Sequence, residues 1–106
     1  MDKVLQFQDR IWILVKKVSQ DEYYYISGNL TKCFFHNFYG IGEVKYDEYA
    51  KYWAVATNTR FHREYGPAII YKPNIPYENK YRRTYWLFGY AFTLKQWKKE
   101  RKKYVR

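Results

Sequence analysis

Two short strings recur in this chain in a fixed order, and that recurrence limits the fold more than any other feature. Tyr24-Tyr25-Ile26-Ser27-Gly28 returns as Tyr85-Trp86-Leu87-Phe88-Gly89, and Tyr52-Trp53-Ala54-Val55-Ala56 is a looser third copy. The stretch Phe35-His36-Asn37-Phe38-Tyr39-Gly40, running on to Val44, returns as Phe61-His62-Arg63-Glu64-Tyr65-Gly66, running on to Ile70. The order is an aromatic strand, a His-x-x-Tyr-Gly turn and a second strand. It occurs twice, and a third aromatic strand closes the series. The extra length in the second unit falls in Lys72–Lys80, whose two prolines and two asparagines mark a loop.

Within each unit the alternation has period two. In Pro67–Tyr71, Ala68 and Ile70 share one face, and Ile69 and Tyr71 the other. Hairpins of this kind joined in series make an open, twisted antiparallel sheet. Arg10–Val18 also reads as a strand on its β-branched content, with Ser19–Glu22 as the turn into the next one. A helical stripe of Val4, Phe7, Ile11, Leu14, Val15 and Val18 is the competing pattern. At the other end, Thr93 stands three residues before Gln96, the spacing of a capping box. Leu94, Trp97, Arg101 and Tyr104 then fall on one face, so a helix is expected over 94–104, with Leu94 and Trp97 docked on the sheet. The expected fold is mostly β: an antiparallel meander of β-hairpin repeats with a basic C-terminal α-helix. It makes a single domain over 1–106, with hairpin repeats at 23–51 and 52–92 and the basic helix at 93–106.

Charge is distributed unevenly. Residues 79–106 hold ten basic side chains against Glu100 alone, a net of +9, whereas residues 1–78 are balanced to +1. A near-neutral body with a basic end points to a polyanion partner. The candidate nucleic-acid-binding residues are Arg82, Arg83, Lys95, Lys98, Lys99, Lys102 and Lys103, because Lys and Arg on successive helical turns neutralise phosphates without reading sequence. Twenty-five residues are aromatic, fourteen of them Tyr. That is more than one thin core can take up, so some are expected to be exposed for stacking on bases or for protein contact.

The segment Phe61–Tyr71 resembles the HREDGPA-type repeat, itself MORN-like, of small proteins from bacteriophages and mobile elements. Tyr85–Trp97 resembles the closing strand and terminal helix of those proteins. The usual Asp before Gly is Tyr65 here, and the first copy keeps only His36 and Gly40 of the core. The resemblance implies a β-hairpin meander and a phage-type accessory role, often directed against host proteins or defence complexes.

His36 and His62 could share acid–base work in RNA cleavage. One His at the same offset in each repeat fits a turn-bracing role better, so no catalytic residue is assigned. Arg63-Glu64 reads as a surface ion pair worth up to about 1 kcal/mol. Gly66 is expected where φ is positive or a Cβ has no room, with Pro67 opening the strand. Cys33-x-x-His36 supplies too few ligands for a closed metal site, so neither metal nor cofactor is expected. A single cysteine excludes an internal disulfide and fits a reducing compartment. No apolar run approaches the roughly 18 residues of a membrane span, and no signal-peptide pattern is present, so a cytoplasmic protein is expected.

The first expectation for function is a small non-enzymatic protein that binds nucleic acid, RNA or a ribonucleoprotein favoured, and interferes with a host nucleic-acid-dependent or defence system. The second is an inhibitor that meets a host protein through a Tyr-rich sheet face. The third is a small ribonuclease using His36 and His62. Open strand edges also make a homodimer an expectation.

Overall fold

The computed structural model describes residues 2–55, 60–73 and 82–105. Its strands are β1 (Val4–Phe7), β2 (Arg10–Lys17), β3 (Glu22–Ser27), β4 (Leu30–Asn37), β5 (Gly40–Tyr46), β6 (Ala50–Val55), β7 (Arg60–Phe61), β8 (Ile69–Tyr71), β9 (Arg83–Leu87) and β10 (Tyr90–Phe92). One helix follows, α1 (Leu94–Arg101). The sheet order is β1-β2-β3-β4-β5-β6-β8-β9-β10, antiparallel throughout, with β7 paired to β6 beside β8. The meander and its closing helix are as the sequence implies. Ala56 and most of the proline loop lie outside the described residues.

Residues 10–17 form a strand, which settles the N-terminal ambiguity in favour of β-branched content. Its partner β1 had no separate sequence signal. The Gln8-Asp9 turn between them takes left-handed conformations without a glycine. The helix stops at Arg101 rather than 104. Past it, Lys103 and Tyr104 donate three residues back, to Glu100 and Arg101, so the last turn tightens. The capping box is present in both directions between Thr93 and Gln96.

Because successive side chains alternate, two small cores form on opposite faces of the sheet. Cys33, Phe35, Val44, Trp53 and Ala68 make one. Trp12, Tyr25 and Phe34, with Leu5, Phe7 and Leu14 against them, make the other. Neighbouring Phe34 and Phe35 thus serve different cores, and both are fully buried. Gly42 lies opposite Phe35, where a Cβ would stand 2.4 Å from the Phe35 ring and 2.8 Å from the Ala54 carbonyl. Only glycine allows the strands to close there. On the face away from Trp12, β1, β2 and β3 leave Val4, Ile13 and Ile26 exposed in a cross-strand row, with Ile11 beside them.

Cys33 sits in the first core, and burial, reinforced by the Glu22 carboxylate, pushes its thiol up to about 11. In the unfolded chain the thiol titrates near 8.5. Between those values the unfolded chain sheds a proton that the folded chain keeps, so folding stability falls as pH rises through this window. The expected loss is roughly 1–2 kcal/mol after solvent screening is allowed for. Urea midpoints taken from pH 8 to 11 should therefore fall more steeply for the wild type than for Cys33→Ala. Equal slopes would show that the thiol is not coupled to folding.

Candidate nucleic-acid interface

An antiparallel meander sends alternate connections to the same end of the sheet. The links β2–β3, β4–β5 and β9–β10 therefore gather at one end, and residues 62–68 tie them together. This segment interrupts the β7–β8 edge. His62 N–H donates to the Trp53 carbonyl at 3.1 Å, and Trp53 N–H donates to the Ala68 carbonyl at 2.9 Å. Both ends of a seven-residue excursion thus close on one residue of β6.

The excursion is a buried polar loop. His62 is 0%, Arg63 8% and Glu64 3% exposed, so Arg63 and Glu64 do not form the surface pair expected from sequence. Arg63 instead reaches the β2–β3 link. Its Nε and Nη2 donate to the two carboxylate oxygens of Asp21 at 3.0 Å each, and Nη2 also reaches Glu22 Oε1 at 3.3 Å. The planar guanidinium lies 4.1 Å from the Trp53 ring centroid, and Nη1 donates to the Pro67 carbonyl. Lys51 approaches the same Trp53 ring and pairs with Glu22 at 3.4 Å. Burial opposes the charge on Lys51, but the Glu22 carboxylate and Tyr46 outweigh it and hold its pKa above the ordinary value.

Gly66 has ordinary φ, and its need is room: a Cβ would stand 3.0 Å from Arg63 Nη1. Pro67 precedes the strand rather than opening it, since β8 begins at Ile69.

Glu64 and His62 clamp the other two links. Glu64 Oε2 accepts from Phe38 N–H and pairs with His62 Nε2, both at 2.6 Å. His62 Nδ1 accepts from Phe88 N–H at 2.9 Å. A ring nitrogen that accepts carries no proton, so the imidazole carries its hydrogen on Nε2, which donates the hydrogen bond to Glu64. The contact also secures Phe88, which adopts a left-handed conformation (φ 55°) that a bulky residue reaches only at a cost. His62 braces the β9–β10 link and not, as expected from sequence, the turn before its own strand, and both its ring nitrogens are engaged. His36, its counterpart in the first copy, lies exposed on β4. There the His-x-x-Tyr-Gly string forms an ordinary two-residue hairpin turn at Phe38-Tyr39. The two copies therefore do not share a conformation. Cys33 and His36, three apart on one strand, point to opposite faces and cannot chelate together.

The helix is fastened to this loop. Trp97 is buried against Tyr85, and its Nε1–H donates to the Arg63 carbonyl at 3.0 Å. Arg101 Nε donates to the Glu64 carbonyl at 2.6 Å, its guanidinium near the rings of Tyr65 and Trp97. Leu94, expected to dock, is 43% exposed. The helix is anchored through Trp97 and Arg101 and does not roll onto its first turn.

The opposite arc of α1 and the turn after it carry five of the candidate binding residues. Lys95, Lys98, Lys99, Lys102 and Lys103 are all exposed. Lys103 pairs with Glu100 at 3.0 Å, and that hydrogen bond raises its pKa. Arg83 is exposed on β9, and strand alternation places it on the same face as Tyr85, the face the helix covers. Arg82 accepts through its carbonyl from Tyr71 N–H, which extends the ladder by one residue and turns its side chain to the other face. The structure thus places five of the seven named cations on the helix and the turn after it, Arg83 on the sheet face that the helix covers, and Arg82 on the other face. Among the described residues the large exposed tyrosines, Tyr39, Tyr46, Tyr49 and Tyr90, stand at turns and strand ends and do not pave a sheet face.

No group of three or more His, Cys, Asp or Glu that could hold a metal occurs among the described residues, and no described helix is long and apolar enough to cross a membrane. Comparison with protein-family models, curated proteins and solved structures finds no match, so the hairpin-repeat resemblance stands on its quoted motifs alone.

Proposed function

We propose that this chain is a non-enzymatic nucleic-acid-binding protein, with RNA or a ribonucleoprotein as its target, whose phosphate contacts come from the outer arc of α1 and the turn after it, and from Arg83. One observation carries the reading. Five exposed lysines line one arc of α1 and the turn that follows it, Lys95, Lys98 and Lys99 on the helix and Lys102 and Lys103 past its end. Trp97 and Arg101 lock that helix to the sheet, and Glu100 is the lone acid of residues 79–106. Charges held on a fixed scaffold meet a phosphate backbone with less ordering cost than the same charges on a free tail. In the mobile-element setting that the sequence resemblance implies, such binding serves to interfere with a host nucleic-acid-dependent system.

Binding of labelled RNA and DNA over a salt series tests this. Four or five phosphate contacts predict a slope of log affinity against log salt of about −3 to −4. Lys98→Gln with Lys102→Gln should reduce that slope by about 1.5. Weak binding with no salt dependence overturns the proposal. The surface to examine would then be the aliphatic row of Val4, Ile13 and Ile26, with Ile13→Asp as the probe.

A further inference from the structure

The β4–β5 link turns at Phe38-Tyr39, and Gly40 (φ 103°) takes the left-handed position that closes the hairpin. The two turn residues themselves therefore need no special backbone, and such residues are usually small or polar because they face solvent. Here they are Phe38 and Tyr39, with 59% and 48% of their surface exposed. The turn is nonetheless firmly built. Phe38 N–H donates to the buried Glu64 carboxylate at 2.6 Å, and Tyr39 N–H donates to Oδ1 of buried Asn37 at 2.8 Å. The rings are held edge-on. Phe38 meets Phe88 at 5.7 Å and Tyr104 at 5.1 Å, and Tyr39 meets His62 at 5.3 Å and Phe88 at 5.5 Å. Two large aromatic surfaces are thus fixed in orientation and left open to solvent.

Their position relative to the helix gives them a use. Tyr104, which packs on Phe38, directly follows Lys102 and Lys103. A cleft of about 370 Å³ opens beside Phe38, between Tyr65 and Tyr104. A strand whose phosphates meet Lys102 and Lys103 at the end of this helix would pass beside Tyr104, and with it beside this turn. A duplex covers its base faces by stacking and pairing, and only an unpaired base can lie on a protein ring.

We infer that Phe38 and Tyr39 form a stacking platform for unpaired bases, and that the ligand class is single-stranded nucleic acid. The inference rests on the nucleic-acid reading above and adds a preference which that reading does not contain.

The test uses the full chain with a fluorescein-labelled 12-nucleotide single-stranded RNA and a 12-base-pair RNA duplex, with anisotropy as the readout. The wild type should bind the single strand more tightly. Phe38→Ala with Tyr39→Ala should weaken single-strand binding by about 30-fold or more, the combined loss of two stacked bases, and leave duplex binding and the salt slope unchanged. Phe38→Trp should keep single-strand affinity or raise it, as ring stacking requires and a purely structural turn does not. Lys98→Gln with Lys102→Gln should weaken both ligands. Equal single-strand affinity in the alanine variant and the wild type, with both weakened by the lysine changes, overturns the platform and leaves the parent reading standing. Binding of neither RNA by the wild type removes both.

Discussion

Replacing Arg63 by alanine should cost roughly 3–5 kcal/mol, a large share of the 5–15 kcal/mol that holds an ordinary domain folded. The cost comes from what the substitution leaves behind. Asp21 and Glu22 are 1% and 6% exposed, and without the guanidinium they are carboxylates in a dry site with Lys51 as the remaining cation. The stack on Trp53 and the bond to the Pro67 carbonyl go as well, so the 62–68 loop loses its inner fastening. Arg63→Lys should recover only part of the loss, since an ammonium is a point charge and cannot span both Asp21 oxygens while also reaching Glu22. Arg63→Met with Asp21→Asn should cost less than Arg63→Ala, because the buried charge is removed along with its partner. Urea midpoints at constant m-value measure all three. A loss below about 1 kcal/mol for Arg63→Ala would show that water reaches the pair and that it behaves like a surface ion pair after all.

The same site shows where sequence reasoning stops. Strands and helix were readable because their signals are local. Alternation in Pro67–Tyr71 and the Thr93–Gln96 capping box each lie within a handful of residues. The Arg63–Asp21 contact spans 42 positions, and nothing in Ser19-Gln20-Asp21-Glu22 distinguishes a buried anchor from a solvated turn. Burial was the missing quantity, and it reverses the expected worth of Arg63 and Glu64. The recurrence of His-x-x-Tyr-Gly misled for a related reason. In the first copy Asn37 and Phe38 close a hairpin, whereas in the second Arg63 and Glu64 find partners on other links and the segment is drawn into the structure. The available signal was the difference between the copies: two charged residues stand where the hairpin copy has none.

The candidate surface divides in the same way. The basic arc of α1 was evident from spacing, because helical periodicity separates Trp97 and Arg101 from the lysines. That the ladder reaches back to Arg82 could not be read, since it depends on the Tyr71 bond; once it does, strand alternation sets Arg82 on the opposite face from Arg83. Phe38-Tyr39 looked like part of a turn signature. What holds it in place is the Glu64 contact 26 residues later, and that contact again joins two links that only the meander brings together.

Trp97→Ala carries the second large effect, with an expected loss of about 3–5 kcal/mol from removing a buried indole. The indole fills the space against Tyr85, and its N–H satisfies the Arg63 carbonyl, so the change leaves both a cavity and an unpaired acceptor. An eight-residue helix cannot stand alone in water, so a chain that survives the change should lose the helix as well as its docking. Far-ultraviolet circular dichroism would record that loss directly. Trp97→Phe should keep most of the packing and forfeit about 1 kcal/mol for the lost hydrogen bond, while Leu94→Ala, at an exposed position, should cost well under 1 kcal/mol. The variant also separates charge from scaffold. Trp97→Ala keeps every lysine and the full net charge, yet it releases the lysines from the sheet that fixes their spacing. If the proposed interface depends on that spacing, RNA affinity at a temperature where the variant is still folded should fall several-fold with the salt slope nearly kept. Unchanged affinity would mean that charge alone suffices and that docking of α1 serves the fold and not the ligand.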